Sequence, residues 1–245
     1  MPGSPLPLLG TFHETSIAVG DVRASVEFYE QLGFIQATTN DTLTHPYGVL
    51  TDGRLFVGLH QRPGASPVLT FVRPGIAEAL PAFAAAGLEL SFRRTGEDVF
   101  NEIGLLDPFG HALAVLEART YSPVARARTA VSLCGDFSEV SLPAPDFTTA
   151  QRFWEALGFV AAGEMQEPYP HLPLTSDYLD VSFHPPQLCE RAMLVFRDPE
   201  MRVRIARLLE LGVEVSPLAP PGAPGGHGLI ESPDGLPLML LESGG

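Results

Sequence analysis

The sequence predicts an α+β protein made of four βαβββ modules, paired into two cup-shaped domains. Two observations predict it. A register of 125 residues (137 − 12) carries Phe12-His13-Glu14-Thr15-Ser16 onto Phe137-Ser138-Glu139-Val140-Ser141, and self-similarity at a fixed period marks repeated structural units. Within each repeat a fainter half-period reads strand, helix, then three strands. The register also takes Asp21 to Asp146, Leu32-Gly33-Phe34 to Leu157-Gly158-Phe159, Pro108 to Pro233 and Gly110 to Gly235. It slips only before Tyr169, the match of Tyr47, and has nearly recovered at His184, the match of His60. The expected domains are 8–118, with modules at about 12–61 and 67–118, and 136–245, with modules at about 137–185 and 191–243. The linker is expected at 119–135.

Each element has a local cause. His13 to Val19 alternates as a strand. Asp21 occupies an N-cap position before Val22 to Tyr29, whose apolar residues recur at helical spacing, and Gly33 ends that helix in the left-handed region. Strands follow at about 34–39, 47–51 and 55–60. The second module repeats the plan with a strand at 68–72, a helix at 76–86 stopped by Gly87, and strands at 88–93, 102–106 and 112–116. The third and fourth modules are expected to do the same from Glu139 and Met193 onward.

Composition bounds the function. Hydrophobic residues make up 45% and charged residues 18% of the chain, enough apolar material for packed cores. A net charge of −14 gives no basic surface with which to neutralise phosphates, which excludes nucleic acid and an anionic membrane as expected partners. Cys134 and Cys189 are too few for a disulfide framework and read as buried thiols in a reducing, cytoplasmic setting. No apolar run has the length of a membrane span, and the first residues lack the pattern of a signal peptide. No phosphate-binding glycine motif, nucleophile elbow or zinc-protease motif occurs.

The strand leading into Gly20-Asp21-Val22, the pairs Phe28-Tyr29 and Phe153-Trp154, the two Leu-Gly-Phe turns, and the turns Asp107-Pro108-Phe109-Gly110 and Ser232-Pro233-Asp234-Gly235 resemble the vicinal oxygen chelate superfamily, of the glyoxalase/bleomycin-resistance/dioxygenase type. The resemblance covers nearly the whole chain, as a tandem two-domain member. Its motifs are structural and name no reaction. It implies that two modules form a curved sheet whose concave face holds a ligand, often around a divalent metal bound by His and Glu.

Strand phase assigns faces independently. Ile17 and Val19 should pack under the first helix, leaving Glu14 and Ser16 on the concave face. Leu55, Val57 and Leu59 are the apolar set of their strand, leaving Phe56, Gly58 and His60 concave. In the second repeat Glu139 and Ser141, with Asp180, Ser182 and His184, face inward by the same argument. Glu14, His60, Glu139 and His184 are therefore the candidate catalytic set, against the competing reading of rim carboxylates and structural histidines. Ser16, Tyr47, Phe56, Thr70, Ser141, Tyr169, Asp180 and Ser182 are the candidate ligand-lining set, though packing in the core competes for both tyrosines. Trp154 is expected in the core, and His111 and His227 at the surface.

The resemblance implies four metal-ligand positions per domain. They fall on Glu14, Gly58, Val68 and Ala114, and on Glu139, Ser182, Met193 and Met239. A catalytic site needs about three protein ligands, so no metal and no other cofactor is expected. The alternative is a displaced divalent metal on Glu139, Asp180 and His184. His13 would join Glu14 only through a bulge or a one-residue slip. The expected function is small-molecule binding with degenerate metal sites, similar to bleomycin-resistance-type proteins, by a monomer or homodimer. The alternative is a lyase, isomerase or ring-cleaving dioxygenase that uses a non-standard metal or Glu/His acid–base chemistry. A third possibility is that one domain is only a scaffold for the other.

Overall fold

The computed structural model describes residues 7–38, 43–118, 131–217 and 226–243. Most of the expected linker, and most of the Pro/Gly-rich stretch 217–226, lie outside these residues. The first half runs β1 (Thr11–Ala18), α1 (Val22–Gln31), β2 (Ile35–Gln36), β3 (Tyr47–Thr51), β4 (Phe56–His60), β5 (Val68–Arg73), α2 (Ile76–Ala85), β6 (Leu90–Arg94), β7 (Glu102–Leu106) and β8 (Ala112–Glu117). The second runs β9 (Asp136–Pro143), α3 (Phe147–Ala156), β10 (Val160–Ala161), β11 (Leu172–Thr175), β12 (Asp180–His184), β13 (Met193–Asp198), α4 (Met201–Glu210), β14 (Gly228–Glu231) and β15 (Pro237–Glu242).

The sheets have the orders β2-β3-β4-β1-β5-β8-β7-β6 and β10-β11-β12-β9-β13-β15-β14. In each, the first strands of the two modules lie side by side and antiparallel, β1 on β5 and β9 on β13. Each first strand is also parallel to the last strand of its own module. This pairing is the α+β arrangement of paired βαβββ modules, and it places Glu14 and Glu139 near the middle of their sheets.

The helices start and stop for local reasons. The Asp21 carboxylate accepts from the Arg23 and Ala24 amides, and Asp146 accepts from Thr148, satisfying N–H groups that a helix start leaves open. Gly33 and Gly158 take φ of 88° and 98° just past the helices, where a side chain would be strained. Ile17, Val57, Leu59, Leu69, Phe71, Leu113 and Val115 are buried on the helix-bearing face, and Tyr29 and Trp154 pack with them.

Two expectations are corrected here. Among the described residues the fourth module shows no strand directly after its helix; Ser216 makes an isolated bridge to Leu229. Pro217, next in sequence, has no N–H to continue a ladder. Cys189 is half-buried rather than buried; both thiols are free.

The two halves share a continuous core, with the rings of Phe34 and Phe196 edge-to-face at 6.2 Å. The turns that carried the family resemblance tie the halves together. Trp154 Nε1 donates to Asp107 Oδ2 at 3.2 Å, Gly20 N donates to Asp234 at 3.0 Å, and Ser25 donates to the other oxygen of Asp234. His111, expected at the surface, is half-buried with Nε2 2.8 Å from the Pro143 carbonyl. A cleft of about 350 Å³ lies between the halves, lined by register-matched pairs such as Ala18 with Pro143 and Gly110 with Gly235.

Candidate functional site

In the first half, β1 brings Glu14 to the concave face, and the carboxylate is 2% exposed. Ser16 donates to Oε1 at 2.7 Å, Tyr47 donates to Oε2 at 2.8 Å, and His60 Nε2 lies 3.0 Å from Oε1. The Thr70 hydroxyl lies 2.7 Å from that of Ser16. Burial alone would raise the Glu14 carboxyl, but the bonds from His60, Ser16 and Tyr47 and the nearby His13 together hold it below the ordinary carboxylate value. The carboxylate therefore stays ionised at neutral pH and accepts from donors on three strands, two at Oε1 and one at Oε2.

A bulge in β1 makes His13 part of the same corner. Phe12 pairs with Phe71 and Glu14 with Thr70, which leaves His13 as the extra residue. Its Nε2 then lies 4.0 Å from Glu14 Oε2. The same break falls at Ser138 in β9. His45, from the residues before β3, completes the corner with Nε2 3.0 Å from Nδ1 of His60. The ring of Tyr47 lies 4.5 Å from that of His60. Around this floor, Phe56, Val68, Ala112 and Ala114 are half-buried on the concave face, and the exposed Phe92 lies against Gly104. The first concave face thus sets a polar centre among half-buried apolar side chains.

The second concave face is closed by its own side chains. Tyr169, Met193, Val195, Met239 and Leu241 form a separate buried cluster, with Leu188, Cys189 and Leu229 packed on it. The register explains why: Thr70, Gly104 and Ala114 become Val195, Leu229 and Met239, and each replacement fills space or removes a hydroxyl. The polar residues here bond to one another. Ser182 donates to Ser141, Ser141 lies 2.7 Å from Nδ1 of His184, and His184 Nε2 donates to the Cys189 carbonyl at 3.0 Å. Burial, with smaller effects of His111 and His171, pushes His184 down to about 4 despite the Cys189 bond, which raises it. Glu139 turns to Arg197 Nη2 at 3.5 Å instead of meeting a histidine. Asp180 lies half-buried at the start of β12, accepting from Thr175 at 2.6 Å.

The structure therefore gathers Glu14, Ser16, Tyr47, His60 and Thr70 in one network, with Phe56 on the same face. It does not bring Glu139, Asp180 and His184 together, and no group of three or more His, Cys, Asp or Glu side chains able to hold a metal occurs among the described residues. The four family-type positions of the first half do not fit a metal either. A Cβ at Gly58 would stand 2.1 Å from Glu14 Oε1, so the carboxylate itself fills the place of the absent second ligand, while Val68 and Ala114 offer no donor atom. Sequence reasoning missed His45 and Arg197. Arg197 was signalled by strand phase, two residues beyond Val195 on the concave face. His45 lies outside any strand, and nothing in the pattern pointed to it.

The class that this fold defines is the α+β arrangement of paired βαβββ modules. Homoprotocatechuate 2,3-dioxygenase from Brevibacterium fuscum shares it, with a TM-score of 0.63 at 18% identity over 97% of this chain and 72% of that one. A catechol 2,3-dioxygenase shares it as well, with a TM-score of 0.61 at 13% identity over 96% of this chain and 87% of that one. At such identities the likeness is one of fold. No family model and no curated protein sequence matches the chain. No helix among the described residues is long and apolar enough to cross a membrane.

Proposed function

We propose that this chain is a small-molecule binding protein, similar to the bleomycin-resistance-type members of the superfamily, with its ligand site on the first concave face and the second domain as scaffold. The single observation behind this reading is the inequality of the two hollows: one keeps small residues above a polar floor, whereas the other is packed with methionines and leucines. A hollow with apolar walls and a few fixed polar groups suits a ligand with an apolar body and a few hydrogen-bonding or cationic groups. The domains are those expected from the repeat, 8–118 and 136–245 joined by 119–135, in a cytoplasmic protein acting as a monomer or homodimer.

The test is a thermal-shift screen that includes cationic antibiotics and aromatic diols, followed by calorimetry on any hit. Filling the first hollow with Ala114→Met is expected to abolish binding, and Glu139→Gln to leave it unchanged. A stoichiometric metal lost in Glu139→Ala would overturn the reading. The second reading, an enzyme of the lyase, isomerase or ring-cleaving kind, draws support from the fold of its structural neighbours and from the Glu14–His60 pair. It ranks behind because a carboxylate held below its ordinary value is a weak base at neutral pH. Turnover of any substrate that is lost in Glu14→Gln would promote it.

A further inference from the structure

The charge that a ligand meets in the first hollow depends on where the protons of the histidine corner sit. Glu14, ionised, can only accept, so the bond at 3.0 Å requires the proton of His60 to be on Nε2. A neutral His60 then carries a lone pair on Nδ1. With His60 neutral, His45 Nε2, 3.0 Å from that nitrogen, is placed to donate to it. A second proton between the two rings would set N–H against N–H, so the contact holds one proton only. His45 itself is lowered by burial, then by Arg62 and by His60, which keeps it in the neutral, donating form.

We propose that His45 is a specificity-determining positioning residue of the first hollow: by capping Nδ1 of His60 it keeps His60 a neutral donor to Glu14, so the carboxylate's charge is not cancelled, and the hollow favours a ligand carrying a positive or proton-donating group over an organic anion. The ligand part of this inference rests on the reading of that hollow given above. The other groups facing the corner are Ser16 and His13 on β1, Tyr47 on β3, Thr70 on β5 and Arg62 beyond β4. Of these, the His13 and Arg62 side chains carry the groups that could offset the carboxylate: His13 is half-buried with Nε2 4.0 Å from Oε2, and Arg62 is exposed. With walls of low polarity above it, an uncancelled charge at the floor is felt more strongly than in water.

The test uses the full chain labelled with 15N-histidine and read by long-range proton–nitrogen spectra across the histidine range of pH. Wild type is expected to show His60 protonated at Nε2 and bare at Nδ1. In His45→Phe, His60 is expected to take up a proton on Nδ1 more readily than in wild type, while His45→Gln, which keeps an N–H donor, stays near wild type. Circular dichroism checks that the variants fold. A wild-type His60 protonated at Nδ1, or no shift in the Phe variant, would overturn the role of His45 whatever binds. Affinities for the matched probes cyclohexylamine and cyclohexanecarboxylate test the ligand half. We expect a preference of about tenfold or more for the amine, collapsing in His45→Phe and restored in His45→Gln. Equal affinities in wild type overturn the specificity claim. Spectra as expected with neither probe bound overturn the reading of the hollow as a ligand site, and the specificity claim falls with it.

Discussion

At the scale of single residues, Glu14 and His184 show opposite solutions to burying a titratable group. Burying a charge costs several kcal/mol unless donors replace water, and Glu14 meets that with Ser16, Tyr47 and His60. Because its folded value lies below the ordinary carboxylate value, its contribution to stability is present above that ordinary value and is lost as pH falls through the lowered one. Glu14→Gln should flatten this acid limb and cost about 1–2 kcal/mol at neutral pH, since one amide nitrogen must face the Tyr47 donor; urea denaturation in a pH series measures both. His184 behaves the other way. Burial holds it at about 4 against an ordinary 6.5, so above 6.5 it adds no pH dependence. Between the two values the unfolded chain takes up a proton that the folded chain refuses. Stability should therefore fall by about 3 kcal/mol from neutral pH to below that window. His184→Gln should remove this slope, and a wild-type curve flat across the window would contradict the assignment.

At the scale of elements, strand phase was readable from alternation, and it put Glu14, Ser16, His60 and Glu139 on the concave face as observed. The bulges at His13 and Ser138 were not readable, because a bulge depends on the partner strand and leaves the local hydrophobic pattern almost intact. They matter to the site, since His13 reaches Glu14 only through the bulge. Gly58 matters for a similar reason: its missing side chain is the space the Glu14 carboxylate occupies. Gly58→Ala should evict that carboxylate from its three donors, at a cost of roughly 2–3 kcal/mol in melting experiments, with the His60 resonances displaced. Gly104→Ala is the comparison: it meets only the exposed Phe92 ring and the Ser91 hydroxyl, which can move aside, so a small effect is expected.

At the scale of the whole molecule, the two halves hold each other through the turns before β8 and β15. Asp107 is buried and accepts from the Phe109 and His111 amides and from Trp154 across the interface. Asp107→Ala strands those donors and should cost about 2–4 kcal/mol, seen as a lower urea midpoint. The unequal hollows give the other prediction. Met239→Ala should destabilise by about 2–5 kcal/mol because it opens a cavity in a packed cluster. Ala114→Met, at the matched but half-buried position, should change stability little while closing the hollow. Equal losses in the two variants would show that the first face is packed as tightly as the second.

The sequence alone determined the α+β modules, the register of 125 residues, the helix caps and the face to which each candidate side chain belongs. These follow from chain-local causes: the pleat period, the N-cap carboxylates and the glycines past each helix. The tertiary structure decided that His45 and His13 join Glu14, that Glu139 turns to Arg197 while Asp180 stays apart, and that the second concave face is packed while the first keeps half-buried side chains. Those outcomes depend on which side chains meet across strands distant in sequence, and on how much volume they occupy once there, which alternation does not encode.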